Sequence, residues 1–324
     1  MRPGPDSAAD PSSRTIAPLF LLMGPTASGK TDLALQLAER FPFEIVSVDS
    51  ALVYREMDIG TGKPSAEALR RVPHHLVDIR DPGERYSAGQ FMRDAQTAIE
   101  DIRRRGRQPL LVGGTMLYFK ALTQGLAELP AGNAAVRADI DARGAALGWP
   151  ALHAELQRID PTAAEKILPN DAQRIQRAIE VHTLTGRPLS ELQAVPVRRT
   201  LNDRFVQVCW SPKDRAALHD RIGVRFSNMM AAGFLGEVRR LYERGDLSAD
   251  TPAIRSVGYR QLWGHLQGQY DLAEAVRLGV VATRQLARRQ LIWLRATPEV
   301  HWIDSLEDDA FFRIESLLRA EWAS

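Results

Sequence analysis

Gly24-Pro25-Thr26-Ala27-Ser28-Gly29-Lys30-Thr31 fits the phosphate-loop pattern G-x-x-x-x-G-K-[ST] without a mismatch. Ahead of it runs Leu19-Phe20-Leu21-Leu22-Met23, a short apolar run that reads as a buried strand. Behind it, Asp32-Leu33-Ala34-Leu35-Gln36-Leu37-Ala38 reads as an amphipathic helix. This context of strand, glycine-rich turn and helix turns a pattern match into a site. Backbone N–H groups of the loop and of the helix N-terminus then point at phosphate oxygens. Lys30 adds a point charge, and the Thr31 hydroxyl a ligand for Mg²⁺. Which phosphate compound binds is left open by the pattern.

Working outward, Glu44-Ile45-Val46-Ser47-Val48 reads as a second strand and ends in Asp49-Ser50-Ala51-Leu52. A third, Pro109-Leu110-Leu111-Val112, ends in Gly113-Gly114-Thr115, and residues 87–105 between them are helical in pattern. Strands alternating with helices argue an α/β fold of the P-loop NTPase kind, a parallel sheet wound by helices. Ligands sit at the C-terminal ends of such strands. The phosphate loop, Asp49 and Thr115 all lie there. From about Gly132 strand signals give way to charged helical stretches, so 132–194 is expected to be an all-helical insertion. Its clearest helix is capped by Asn170 or Asp171 and stopped by Gly186. The run 205–210 returns to the sheet. Ser211-Pro212 then reads as an N-cap and first helical position, with helices over 212–244, 259–268 and 272–296 making a helical C-terminal part. The core is thus expected to comprise 16–131 and 195–324, and residues 1–15, polar and rich in Pro, Ser and Asp, a disordered tail.

A length of 324 residues suits two domains, or one with a large insertion. No apolar run reaches the roughly 18–20 residues of a membrane span, so no membrane partner is expected. The single cysteine, Cys209, lies in an apolar run and reads as a buried structural thiol; one cysteine fits a reducing cytoplasm and argues against a cysteine-based zinc module. Net charge is only +2, but acids are absent from Arg277 to Ala296 while arginines accumulate.

Asp49 is the only acid at a strand end near the loop, since strand 109–112 ends in glycines and a threonine. That departs from ordinary ATPases, which place a Mg²⁺-holding acid there, and frees Asp49 for other work; as a bare residue it equally suits a helix N-cap. Gln173-Arg174-Ile175-Gln176-Arg177 puts polar groups on one side of the insertion helix, with Ile175 facing inward. At about 100° per residue, Arg284, Arg288 and Arg295 fall within roughly 40° of one another, with Leu286 and Trp293 opposite, as anchors to the core. Such stripes suit a phosphodiester backbone or a solvated face. Arg255-Ser256-Val257-Gly258-Tyr259-Arg260 is a further basic element. Arg221 and Arg225 suit either a phosphate contact or the surface.

In this order, Gly24 to Thr31, Asp49 to Leu52, Asp58-Ile59-Gly60-Thr61, Gly113 to Tyr118, Gln173 to Arg177, Arg255 to Arg260 and Arg288 to Arg295 closely resemble the bacterial tRNA dimethylallyltransferases, or tRNA isopentenyltransferases. The resemblance runs from about Leu22 to Trp302. It implies transfer of a dimethylallyl group from dimethylallyl diphosphate to N6 of adenine 37, beside the anticodon of tRNA, with release of diphosphate and a need for Mg²⁺ through Thr31. The protein would act in the cytoplasm as a monomer. Residues Gly24 to Thr31 would hold the diphosphate, with Lys30 and Arg225 stabilising it as it leaves. Asp49 would take the amine proton and Thr115 hold the substrate near it. Contacts to tRNA are implied for Asp49, Ser50, Ala51, Leu52 and Thr115, for Arg137, and for Gln173, Arg174, Ile175, Gln176 and Arg177. They extend to Arg255, Ser256, Val257, Gly258, Tyr259 and Arg260, and to Arg288, Arg289, Gln290, Leu291, Ile292, Trp293, Leu294 and Arg295. The family often has Ala where this chain has Gly62. Rival readings are a small-molecule or nucleotide kinase, with the insertion as lid, and a nonenzymatic RNA-binding switch.

Overall fold

The computed structural model describes residues 18–195, 201 and 203–323; the expected tail at 1–15 lies outside them. Among the described residues six parallel strands form one sheet: β1 (Leu19–Met23), β2 (Phe43–Val48), β3 (His74–His75), β4 (Gln108–Gly113), β5 (Phe205–Ser211) and β6 (Val300–Asp304), in the order β3-β2-β4-β1-β5-β6. Helices cover both faces, which is why the central strands read as unbroken apolar runs. Leu19, Leu21 and Met23 point to a core shared with the helix Ala88–Arg104, while Phe20 and Leu22 point to one shared with the helices Lys30–Arg40 and Ala310–Ala323. Cys209 is fully buried in the first of these cores, and burial pushes its thiol up to about 12.

Pairing aligns the strand ends. Met23 of β1 is level with Gly113 of β4 and Cys209 of β5, and Gly113 is level with Val48 of β2. The segments that follow β1, β2 and β4 therefore emerge at one edge.

Three expectations need correction. Ser211 is the last residue of β5, held by its pairing with Asp304, and the next helix is Arg215–Ala231, capped by Asp214, whose carboxylate accepts from the N–H groups of Ala216 and Ala217. The expected helix 212–244 is two helices, Arg215–Ala231 and Phe234–Glu243, parted at Gly233 with φ 98°, a left-handed turn that swings Phe234 and Glu237 into the core. And the region after Ala296 is not all helix: β6 extends the sheet, with His301 and Trp302 exposed at its edge.

The chain forms two compact units. One takes in the described residues up to Thr123 and from Leu201; the other takes in those between Gln124 and Thr200. The second unit starts earlier and ends later than 132 and 194. Leu129 packs in its core and Pro130 accepts a bond from Arg177, so the stretch ahead of Gly132 belongs with it. This unit contains five helices among its described residues, from Ala134–Leu147 to Leu189–Ala194. The helix Ala172–Thr185 starts on Asp171, which accepts from the Arg174 N–H, and ends at left-handed Gly186.

Glu180 is fully buried in this unit. It accepts from the Asn133 N–H at 2.8 Å, Arg137 Nε at 2.8 Å and Arg177 Nη1 at 2.6 Å. Burial raises its carboxyl, but the bonds from Arg137 and Arg177 outweigh this and the net shift is downward. A depressed folded value means the contribution is present above the unfolded value of 4.5 and is lost as pH falls through the folded one. Glu180→Gln should therefore cost about 3 kcal/mol near neutral pH, with the gap to wild type closing in acid, as read by urea unfolding across pH.

Candidate active site

The phosphate loop leaves β1 at Gly24, where an added Cβ would lie 2.4 Å from the Trp210 carbonyl oxygen. It ends at Gly29, φ 89°, which precedes the helix Lys30–Arg40 without capping it through a side chain. The first amides of that helix are thereby left to an anion. Lys30 Nζ donates to the Pro25 carbonyl at 3.1 Å. Desolvation lowers its ammonium from 10.5 to about 8, the charge of Asp49 opposing the fall and that of Arg225 adding to it. Arg221, left open by the sequence, reaches the loop: its Nε donates to the Ala27 carbonyl at 3.0 Å.

At the end of β2, Asp49 folds back on its own turn. Its Oδ1 accepts from the N–H groups of Ala51 at 2.8 Å and Leu52 at 3.3 Å, so the carboxylate is oriented by capping with one oxygen while it lines the cavity. Thr115 Oγ1 accepts from the Ser50 N–H at 3.0 Å and lies 3.4 Å from Ser50 Oγ. A Cβ on Gly113 would lie 2.0 Å from the Val48 carbonyl oxygen. The Gly113-Gly114-Thr115 segment is thus pressed against the Asp49 turn, and it carries no acid.

These elements line one cavity of about 480 Å³, with Thr26, Lys30, Thr31, Asp49, Thr115 and Arg225 on its wall. Arg225 is held by the Thr61 carbonyl at 3.4 Å and seated over Gly62, where a Cβ would lie 2.0 Å from Nη2. Burial pulls its guanidinium below the usual range, with Asp49 and then Asp32 pulling it back. The loop at 58–60 is fixed by Glu237, buried on the apolar face of its helix, which accepts from the N–H groups of Asp58, Ile59 and Gly60 and from the Tyr259 hydroxyl at 2.5 Å. The mark of Glu237 in the sequence is an acid in phase with Phe234, Val238 and Leu241.

The basic elements divide. Arg255, Ser256, Val257, Arg289 and Trp293 line the cavity. Trp293 is 43% exposed, not an anchor, and Lys120 Nζ lies 5.9 Å from its ring centroid. The helix Leu272–Ala296 packs instead through Ala275, Gly279, Ala287, Gln290 and Leu294; Arg288 and Arg295 are exposed. Of the residues expected at RNA, Tyr259, Gln290, Leu294 and Ile175 have buried side chains. In the second unit, Arg137 and Arg177 are engaged on Glu180, and Gln176 donates to Asp141, leaving Arg174 exposed beside the Lys166 carbonyl.

Residues 52–297 match the family described as IPP transferase. The chain belongs to the IPP transferase family. It is 55% identical over 305 residues to a tRNA dimethylallyltransferase of Cupriavidus necator, covering 93% of this chain and 95% of that one. A solved full-length tRNA isopentenylpyrophosphate transferase of Bacillus halodurans superposes with a TM-score of 0.69 at 36% identity, covering 95% of this chain and 97% of that one. A eukaryotic dimethylallyltransferase, solved acting on tRNA, gives a TM-score of 0.74 at 26% identity over 93% of this chain and 77% of that one. An alanine at Gly62 would meet both the Arg225 guanidinium and a φ of 66°.

The state of Lys30 sets how the cradle responds to pH. Below about 8 the free protein carries the ammonium; as pH rises past that value the charge is lost, and with it the attraction for an anion on the loop. The affinity of wild type relative to Lys30→Met for inorganic diphosphate should fall across this range. Calorimetric titration of both proteins between pH 6.5 and 9.5 reads it directly, because the ligand's own titration is common to the two.

Proposed function

We propose that this protein transfers a dimethylallyl group from dimethylallyl diphosphate to N6 of adenine 37 in tRNA, acting as a monomer in the cytoplasm. The observation that carries the reading is one cavity wall that holds a phosphate cradle and an oriented carboxylate, Asp49, with no second acid at the end of β4. The family of the chain supports it, as do the exposed arginines at the cavity lip.

The chemistry follows from the residues. The diphosphate sits on the loop amides, with Lys30 and Arg225 placed to stabilise the charge that grows as it leaves. The adenine N6 lone pair forms a bond to C1 of the dimethylallyl group. The C1–O bond breaks, and its electron pair leaves with the diphosphate. The amine is too weak an acid to ionise first; it acidifies as its bond to carbon forms, and the proton passes to Asp49. Thr115, fixed on the Asp49 turn, holds the base beside that carboxylate. The base must leave its stack to reach the cavity, and Arg255, Arg288, Arg289 and Arg295 supply phosphate contacts around it.

Thr31 lines the cavity beside Lys30 and Asp49, and its hydroxyl would hold Mg²⁺ together with substrate phosphates. Bound there, the ion supplies further charge neutralisation for the leaving diphosphate.

Asp49→Asn keeps the caps on Ala51 and Leu52, because an amide oxygen accepts as well. Single-turnover transfer should fall roughly 10²–10⁴-fold, with both substrates still bound and no recovery at high Mg²⁺. Full recovery with Mg²⁺, or an unchanged rate, would remove Asp49 as the base. For the arginines, Arg288→Ala with Arg295→Ala should weaken tRNA binding and reduce its salt slope by about one unit per lost phosphate contact, while affinity for dimethylallyl diphosphate is kept. An unchanged slope would make them a solvated face.

A further inference from the structure

Gln290 stands out from its neighbours on the helix Leu272–Ala296. It is 8% exposed, and its phase along the helix matches buried Ala287 and Leu294 rather than exposed Arg288, Arg289 and Arg295. Its amide is spent at both atoms. Oε1 accepts from the Thr26 N–H of the phosphate loop at 2.9 Å, and Nε2 donates to the Gly114 carbonyl beyond β4 at 2.9 Å. The two partners are of opposite sense, one donor and one acceptor, and a primary amide serves both from a single end. A Cβ at Gly114 would lie 2.3 Å from Nε2, so this glycine is the clearance that lets the amide in.

We infer that Gln290 is a positioning residue: it locks the phosphate loop to the Gly114-Thr115 segment and so sets the distance between the diphosphate cradle and the Asp49 turn. Thr115 completes the linkage, because its hydroxyl holds the Ser50 amide next to Asp49. The chain of bonds runs Thr26, Gln290, Gly114, Thr115, Ser50, and joins the leaving-group side of the cavity to the proton-accepting side. It rests on the reaction proposed above for its rate effect, though not for its geometry. The residue is thereby withdrawn from the set that the family resemblance would place against tRNA.

The test uses the full chain as wild type, Gln290→Ala and Gln290→Glu, with Gln285→Ala, an exposed amide on the same helix, as control. Gln290→Ala should speed hydrogen exchange at the Thr26 amide and slow single-turnover transfer about tenfold to a hundredfold, the scale of a small misplacement of reacting groups. Affinity for tRNA should stay within about twofold of wild type. Gln290→Glu still accepts from Thr26 but donates to Gly114 only when protonated. Its Thr26 amide should stay protected, and its rate relative to wild type should fall as pH rises from about 4 to 7, across the ordinary glutamate value of about 4.3 and the upward shift that burial adds. Unchanged exchange at Thr26 in Gln290→Ala would overturn the tie, and so would a loss confined to tRNA affinity. If wild type transfers nothing to tRNA, the proposed reaction fails instead; the exchange result and the affinities for dimethylallyl diphosphate still decide whether Gln290 organises the cradle.

Discussion

The level pairing of Met23, Gly113 and Val48 is the constraint on which the site depends. Three parallel strands end together, so the phosphate loop, the Asp49 turn and the Gly113-Gly114-Thr115 segment emerge side by side. Gly113 must lack a Cβ because the Val48 carbonyl oxygen occupies its place. Backbone register brings the segments to the same edge, and side chains do the finer work: Thr115 fastens the Asp49 turn and Gln290 fastens the loop.

Electrostatics in this cavity run against the resting protein. Desolvation pulls down both Lys30 and Arg225, and the charge of Asp49 offsets part of that loss for each. Among the described residues of the cavity wall, Asp49 alone faces Lys30 and Arg225, with Arg255 and Arg289 also there, so an entering anion would improve the balance of charge. The same field keeps the carboxylate beside the loop without a direct ion pair, because its Oδ1 is taken by the Ala51 and Leu52 amides.

Much of this was legible in the sequence where physics leaves a local mark. Strands buried on both faces are continuous apolar runs, and the Gly24 to Thr31 pattern names its own turn. The long helix Leu272–Ala296 matches the expected 272–296, and Asp271 caps its start by accepting from the Glu274 N–H. What escaped reading depended on partners distant in sequence. The edge strand β6 shows water to His301 and Trp302, so its apolar content is thin. Helical angle alone sets Trp293 against the core, whereas small residues carry the packing: a Cβ at Gly279 would lie 2.3 Å from the Phe226 ring. The role of Gln290 needed both Thr26 and Gly114 in view. Glu237 shows in the sequence as an acid on an apolar helix face, but its role needs the backbone of 58–60 in view.

A phosphate cradle and a carboxylate in one cavity are proposed to transfer a prenyl group to a tRNA base. The most direct measurement is product analysis by mass spectrometry. Purified protein is incubated with unmodified tRNA, Mg²⁺ and dimethylallyl diphosphate, and the nucleosides and released anions are then identified. The account predicts one dimethylallyl group on N6 of the adenosine beside the anticodon, with one diphosphate released for each tRNA modified. Unaltered nucleosides, or instead phosphate transfer when ATP is supplied, would contradict it.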